Sequence, residues 1–188
     1  MPTSRKPTHL VWLDLETTGI DDQTRVIIEI ATIITDRELN VLEEGPDLII
    51  HQPDEILEAM DPWCVKQHGA SGLTEAVRKS QITLKEAERQ TLEFVSRYCP
   101  PKACPLCGNS ICFDRRFIMR YMPGFNAHLN YRNVDVSSIK ELVYRWYPGI
   151  VEKIVKKSTH RSLNDIRESI EELRVYRRHV FRIKALET

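Results

Sequence analysis

The chain has 188 residues, 27 Lys and Arg against 27 Asp and Glu, and 41% hydrophobic side chains, a balance that suits one globular domain over residues 1–188 with short tails at 1–7 and about 184–188. No apolar run approaches the roughly 18 residues needed to cross a bilayer, and Met1-Pro-Thr-Ser-Arg-Lys-Pro7 lacks the apolar stretch of a secretory signal, so the expectation is a cytoplasmic protein without membrane contact. The zero net charge also argues against a grip on long nucleic acid through bulk positive charge.

Leu10-Val-Trp-Leu-Asp-Leu15 is nearly continuous apolar and predicts a central strand covered on both faces. Residues 26–35, rich in Ile, predict a second strand. Turn chemistry at Asp36-Arg-Glu-Leu-Asn40 precedes a third over 41–50, interrupted by Gly45-Pro46. Short connections between the three suggest an antiparallel meander. Asp61-Pro62 opens a helix that Gly69 stops, and Thr83 with Glu86 forms a capping box for a helix with Leu84, Ala87, Leu92, Val95 and Tyr98 on its apolar face. A short strand at 106–109 leads to a helix over 110–122, stopped by Pro123-Gly124. A strand at 131–136 leads to a helix over about 138–147. Leu163, Ile166, Ile170, Leu173, Tyr176 and Val180 mark the buried stripe of a last helix, for which Ser162 is the expected cap. The sum is an α/β layered domain.

The five cysteines, an odd number, suggest reduced thiols. Cys104-Pro-Leu-Cys107 has the spacing of a zinc or redox pair. It lacks a second pair for zinc and lies in a strand-like stretch, so small buried side chains are the plainer expectation.

Asp14 and Glu16 stand at i and i+2 at the end of the most apolar strand, and so point to one face of the sheet. A buried acidic pair repels itself unless a cation or protons compensate, although a solvated strand end would also carry this pattern. Asp114 lies within a helix, where a lone Asp is usually a surface residue. Asp165 falls in the first turn of the last helix, where the dipole alone favours it. His160 lies in the loop before. Taken together, four carboxylates and one histidine suit two hard divalent cations, Mg²⁺ or Mn²⁺, in hydrolysis of a phosphodiester, with the histidine taking a proton from water.

Asp14-Leu-Glu16-Thr-Thr-Gly19, the helical Asp114, and His160 five positions before Asp165 resemble the three motifs of the DEDDh 3′→5′ exonucleases. Within them, Glu44-Gly-Pro46, Gly108-Asn-Ser110, Asp114-Arg-Arg-Phe117, Tyr131-Arg132, Asp135-Val-Ser-Ser-Ile-Lys-Glu-Leu142 and Asp165-Ile-Arg-Glu-Ser169 are similar, in order, to segments of the oligoribonuclease family. Ser162 and Asn164 depart from its usual Ala and Asp, and neither replaces a ligand. The resemblance implies a ribonuclease H-like fold, a three-strand antiparallel meander plus parallel strands flanked by helices. It implies Asp14, Glu16, Asp114 and Asp165 as ligands of two cations per site and His160 as general base. It further implies Ile20 as a wedge between bases, Trp63 and His68 beside the nucleotide, and Ser110, Ser137 and Lys140 on the 5′ phosphate. Tyr131 and Arg132 would reach the partner's site in a homodimer. The expected substrates are single-stranded RNAs of about two to five nucleotides. The alternatives are a DEDDh exonuclease for longer strands and a non-catalytic zinc- or RNA-binding module.

Overall fold

The computed structural model describes residues 9–152, 154 and 161–181, and one mixed sheet organises them. Its strands are β1 His9–Thr17, β2 Ile27–Asp36, β3 Val41–Ile49, β4 Leu106–Gly108 and β5 Asn133–Asp135, in spatial order β3-β2-β1-β4-β5. β1, β2 and β3 form the expected antiparallel meander, and β4 runs parallel to β1 and to β5. The described helices are α1 Asp54–Glu58, α2 Pro62–Ala70, α3 Leu73–Lys79, α4 Leu84–Ser96, α5 Ile111–Tyr121, α6 Pro123–His128, α7 Val136–Trp146, α8 Pro148–Val151 and α9 Ser162–His179. None of them is long and apolar enough to cross a membrane.

β1 is continuous apolar because both of its faces are covered. Val11, Leu13 and Leu15 point into a core completed by Phe94 and Val95 of α4, Phe117 and Ile118 of α5, and Phe125 of α6. Trp12 points the other way, into a core completed by Val143 of α7 and Ile166, Ile170 and Tyr176 of α9. Burying a side chain such as Phe117 contributes about 1.5–3 kcal/mol. The indole N–H of Trp12 donates to Thr35 Oγ1 at 2.9 Å, so this buried polar atom is satisfied. The period-2 alternation decides the site: Asp14 and Glu16 share the face of Trp12 and turn toward α9.

Several local expectations change. Gly45-Pro46 does not break β3: Ala31 pairs with Asp47 and Ile33 with Glu44, so the two residues form a bulge opposite Thr32. Only glycine fits there, since a Cβ at Gly45 would lie 2.5 Å from both Thr32 Oγ1 and the Phe94 ring. α5 ends at Tyr121, just before Pro123-Gly124 as expected, and the same pair begins the short α6, because proline's missing N–H costs nothing at a first helical position. Thr83 caps α4 by accepting from Glu86 N at 3.2 Å, while the Glu86 carboxylate turns to Arg89 and Gln90. Ser162 is the first residue of α9, not its cap, which is Arg161.

The cysteine expectation also changes. Cys99 and Cys104, 5.8 Å apart at Cα, form a disulfide, so the thiols are not all reduced. The turn from Pro100 to Ala103, closed by Ala103 N–H donating to the Pro100 carbonyl, folds the chain back to bring them together. Cys107 is held apart from Cys104 by its place in β4, where it pairs with Trp12 and Val134.

Candidate active site

β1 runs parallel to β4, and β4 to β5, and the side chains with chemistry gather toward the carboxyl ends of these strands, the usual place for a site in an open α/β sheet. Asp14, Glu16 and Asp165 each bring a carboxylate oxygen to within 4.8 Å of the others. The first two come from β1, and Asp165 comes from the first turn of α9, which packs on the same face. Burial, then the charges of Asp114, Glu16 and Asp165, push the Asp14 carboxyl well above its ordinary value. The Ser162 hydroxyl opposes this weakly, without forming a well-aligned hydrogen bond. Burial, then Glu29, Asp165 and Asp114, push Glu16 up to about 8. Three oxygen donors at this spacing, of which Asp14 and Glu16 resist ionisation unless compensated, fit a hard divalent cation.

Asp114 reaches the same strand end from the opposite layer. It lies on α5, whose neighbouring residues Ile111, Phe117 and Ile118 are in the core under the other face of the sheet. Its Oδ1 accepts the Leu15 N–H at 3.0 Å, and burial raises its carboxyl to about 8. Asp114 is only 4% exposed, so it is not the surface residue that a lone helical Asp usually is. It therefore flanks the three-oxygen cluster from behind β1.

The turn after β1 is pinned from α2. Asp61 is the residue before α2, as expected, yet its carboxylate does not cap that helix. It accepts from Ile20 N at 3.4 Å and pairs with Arg25 at 2.6 Å. A Cβ at Gly19 would fall 2.1 Å from this carboxylate, so the turn needs glycine for close approach. The turn leaves Ile20 75% exposed, standing out beside the strand end. Trp63, on α2, is exposed as well. His68, from the same helix, is instead 1% exposed and lies behind Glu16, with Nδ1 3.9 Å from Oε2. Its Nε2 lies 2.9 Å from the Thr17 carbonyl, which can only accept, so that nitrogen carries a proton.

Ser110 and Ser137 are in contact. Their hydroxyls are 3.0 Å apart, and Ser110 N donates to Ser137 Oγ at 2.9 Å and to Asp135 Oδ1 at 3.0 Å. Ser110 has φ +51°, a left-handed backbone that costs a non-glycine residue about 1–3 kcal/mol. Ser137 Oγ donates to Asn109 Oδ1 at 3.1 Å, and Asn109 Nδ2 donates to Ser169 Oγ at 2.7 Å and Glu172 Oε2 at 3.2 Å. Ser169 Oγ in turn donates to the Asp165 carbonyl at 2.8 Å. A continuous polar chain thus links the two serines to the helix turn that carries Asp165. Lys140 Nζ lies 3.2 Å from Glu172 Oε1, a carboxylate that also accepts from Tyr176.

Tyr131 is 76% exposed, and the Arg132 guanidinium lies over its ring at 4.7 Å, both pointing away from the body of the chain. His160 lies outside the described residues. Three residues with structural consequences for the site were not anticipated: Glu29, Asn109 and Glu172. A glutamate inside Ile27-Ile-Glu-Ile30 was the available signal for the first, because a charge in a fully buried strand demands a partner. Glu172 falls on the buried stripe of α9, an equivalent signal.

The chain matches the family model described as Exonuclease over residues 11–173. It is 54% identical to an oligoribonuclease of Marinobacter nauticus over 93% of this chain and 97% of that one. It is 57% identical to an oligoribonuclease of Pseudomonas savastanoi over 91% and 95%. In fold it is similar to exonuclease I of E. coli in a zinc-bound complex with single-stranded DNA, with a TM-score of 0.72, 16% identity and 94% of this chain covered. Exonuclease I of Methylocaldum szegediense gives a TM-score of 0.69, 20% identity and 93% coverage. This chain spans about two fifths of each of those structures, 42% and 41%. Identity at that level speaks for the fold alone, a ribonuclease H-like one. The sequence relatives span nearly the whole chain, and with the exonuclease match they show that the chain belongs to the oligoribonuclease family and is a nuclease, a hydrolase of phosphodiester bonds.

Proposed function

We propose that the protein is a 3′→5′ exoribonuclease that degrades single-stranded RNAs of about two to five nucleotides to 5′-mononucleotides in the cytoplasm. The observation that carries this reading is the convergence of Asp14, Glu16 and Asp165 at one strand end, with Asp114 tied to the same strand from the other layer. The four carboxylates would hold two divalent cations, Mg²⁺ or Mn²⁺. When bound, these supply Lewis-acid stabilisation of charge on the attacking and leaving oxygens of an in-line displacement.

The chain's own groups divide the remaining work. His160, adjoining Arg161 in the chain, takes the proton from the attacking water, a task suited to an imidazole near neutral pH. Ile20 separates the last two bases, and Trp63 stacks on one of them, a contact worth about 1–3 kcal/mol. His68 acts behind Glu16 rather than against a base, which its burial supports. Ser110, Ser137 and Lys140 hold the 5′ phosphate, and their hydrogen-bonded link to the Asp165 turn supports a fixed distance between the two ends of the substrate. Tyr131 and Arg132 complete the partner's site in a homodimer, a role consistent with their outward exposure.

A time course on 3′-resolved, end-labelled RNAs of roughly two to twenty nucleotides tests the reading. Rapid loss of the shortest RNAs and slow attack on the longest are expected. Preference for the longest substrates would replace it with a long-strand exonuclease, the activity class toward which the single-stranded DNA complexes of the fold neighbours point.

A further inference from the structure

We propose that Glu29 and Arg161 form a positioning clamp that holds Asp165 against Asp14 and Glu16. The inference rests on the nuclease reading of that carboxylate cluster. Glu29 lies directly opposite Glu16 in the β1–β2 register, so both side chains leave the same face of the sheet. Like charges in this relation destabilise a sheet, and Glu29 is wholly buried. Its compensation comes from the far end of the chain. Arg161 Nε and Nη2 both reach Glu29 Oε1, at 2.8 and 2.7 Å, and Ser162 N donates to Oε2 at 3.2 Å.

The clamp also replaces a helix cap. The residue before α9 is Arg161, which offers no side-chain hydrogen bond to the first turn. The exposed N–H groups of that turn need partners. Glu29 takes the one from Ser162. The Arg161 carbonyl takes those from Asn164 and Asp165, at 2.9 and 3.1 Å. The backbone of Asp165 thus hangs from a residue whose side chain is fixed to β2, beside the strand that carries Asp14 and Glu16. Glu29 thus reaches the Asp165 turn through Arg161 and Ser162.

The test uses the full chain with Glu29→Gln, Arg161→Ala and the double variant. Each is measured for Mn²⁺ affinity by calorimetric titration, for kcat and KM on a dinucleotide, and for thermal midpoint. Each single variant should lose about 10–100-fold in Mn²⁺ affinity and in kcat, the scale for outer partners of a metal site. The loss should fall on kcat more than on KM. The double variant should be no worse than the poorer single one, because both remove the same clamp. Arg161→Lys should lie between wild type and Arg161→Ala, and it carries the test if Glu29→Gln does not fold. A lowered thermal midpoint with wild-type Mn²⁺ affinity and kcat would reduce the pair to a structural bridge and overturn the inference. So would additive losses. If wild type cleaves no RNA, the nuclease reading fails, while the Mn²⁺ titrations still decide the clamp.

Discussion

Asp114 Oδ1 accepts the backbone N–H of Leu15, the residue between Asp14 and Glu16 on β1. Strand alternation sends Asp14 and Glu16 to one face and leaves Leu15 on the other, so the α5 layer can contribute a carboxylate only by reaching the strand end from behind. The Leu15 N–H gives that carboxylate a fixed address. The same bond makes the fourth acid a part of the strand's geometry as well as of its charge.

Replacing Asp114 by Asn separates those two roles. The amide keeps an oxygen for the Leu15 N–H, while the charge that burial resists is removed. In the absence of metal, Asp114→Asn should therefore melt at or above the wild-type temperature. Turnover should fall by roughly 10²–10³-fold, the scale of losing one electrostatic contact to a transition state. Scanning calorimetry in chelator and single-turnover hydrolysis check the two halves. A near-normal rate would remove Asp114 from the catalytic set.

The raised carboxyls predict how stability depends on pH. Glu16 and Asp114 both titrate near 8 in the fold, against ordinary values of 4.5 and 3.8. A raised folded pKa means that the native state holds protons the unfolded chain has released. This contribution is full below the ordinary values and is lost as pH rises toward 8. A divalent cation that displaces those protons should stabilise most where they are hardest to keep. The thermal shift caused by Mg²⁺ should accordingly grow from about pH 5 to about pH 8. Equal shifts at both ends would mean that Mg²⁺ binds elsewhere.

Much of this arrangement was legible before the fold was known. An apolar run with carboxylates at i and i+2 located β1 and its acidic end, and proline and glycine marked most helix boundaries. Burial was harder to read. Asp114 looked like a surface residue because helical periodicity does not reveal which layer reaches the strand end. α1, α3, α6 and α8 were missed: α1 has no side-chain cap, α3 starts after Gly72 at φ +75°, a residue that ordinarily signals a stop, and α6 and α8 each open on a proline just after another helix. The roles of Glu29 and Glu172 depend on partners more than 30 residues away, Arg161 and Lys140 respectively, which local pattern cannot supply.

The cysteines give a separate, inexpensive check. Cys112 is the exposed free thiol, while Cys64 and Cys107 are buried, and burial pushes Cys64 up to about 11 and Cys107 further still. Thiolates are the reactive species. A native-state titration with an aromatic disulfide reagent should find one fast thiol, abolished by Cys112→Ser. Reduction beforehand should expose additional thiols from Cys99 and Cys104 on unfolding. Fast reaction at Cys107 would restore a redox role for the C-x-x-C pair.

The last prediction concerns Lys140, whose charge meets Glu172 and, in the proposed function, the 5′ phosphate. Its Nζ stands 3.2 Å from the fully buried carboxylate of Glu172, so Lys140→Met strands that charge. Breaking a buried pair in this way costs about 3–5 kcal/mol, and less here because Tyr176 and Asn109 still donate to Glu172 and Lys140 is 30% exposed. Lys140→Met should therefore melt well below wild type, and adding Glu172→Gln should recover much of the loss. Phosphate recognition should not recover. In Ca²⁺, which supports binding, both the single and the double variant should lose about 1.5–3 kcal/mol of affinity for a 5′-phosphorylated dinucleotide. The unphosphorylated dinucleotide should lose far less, and the double difference between ligands isolates the contact from any general damage to the fold. If the double variant regains both stability and phosphate discrimination, Lys140 serves Glu172 alone and the 5′ phosphate is held by the paired serines.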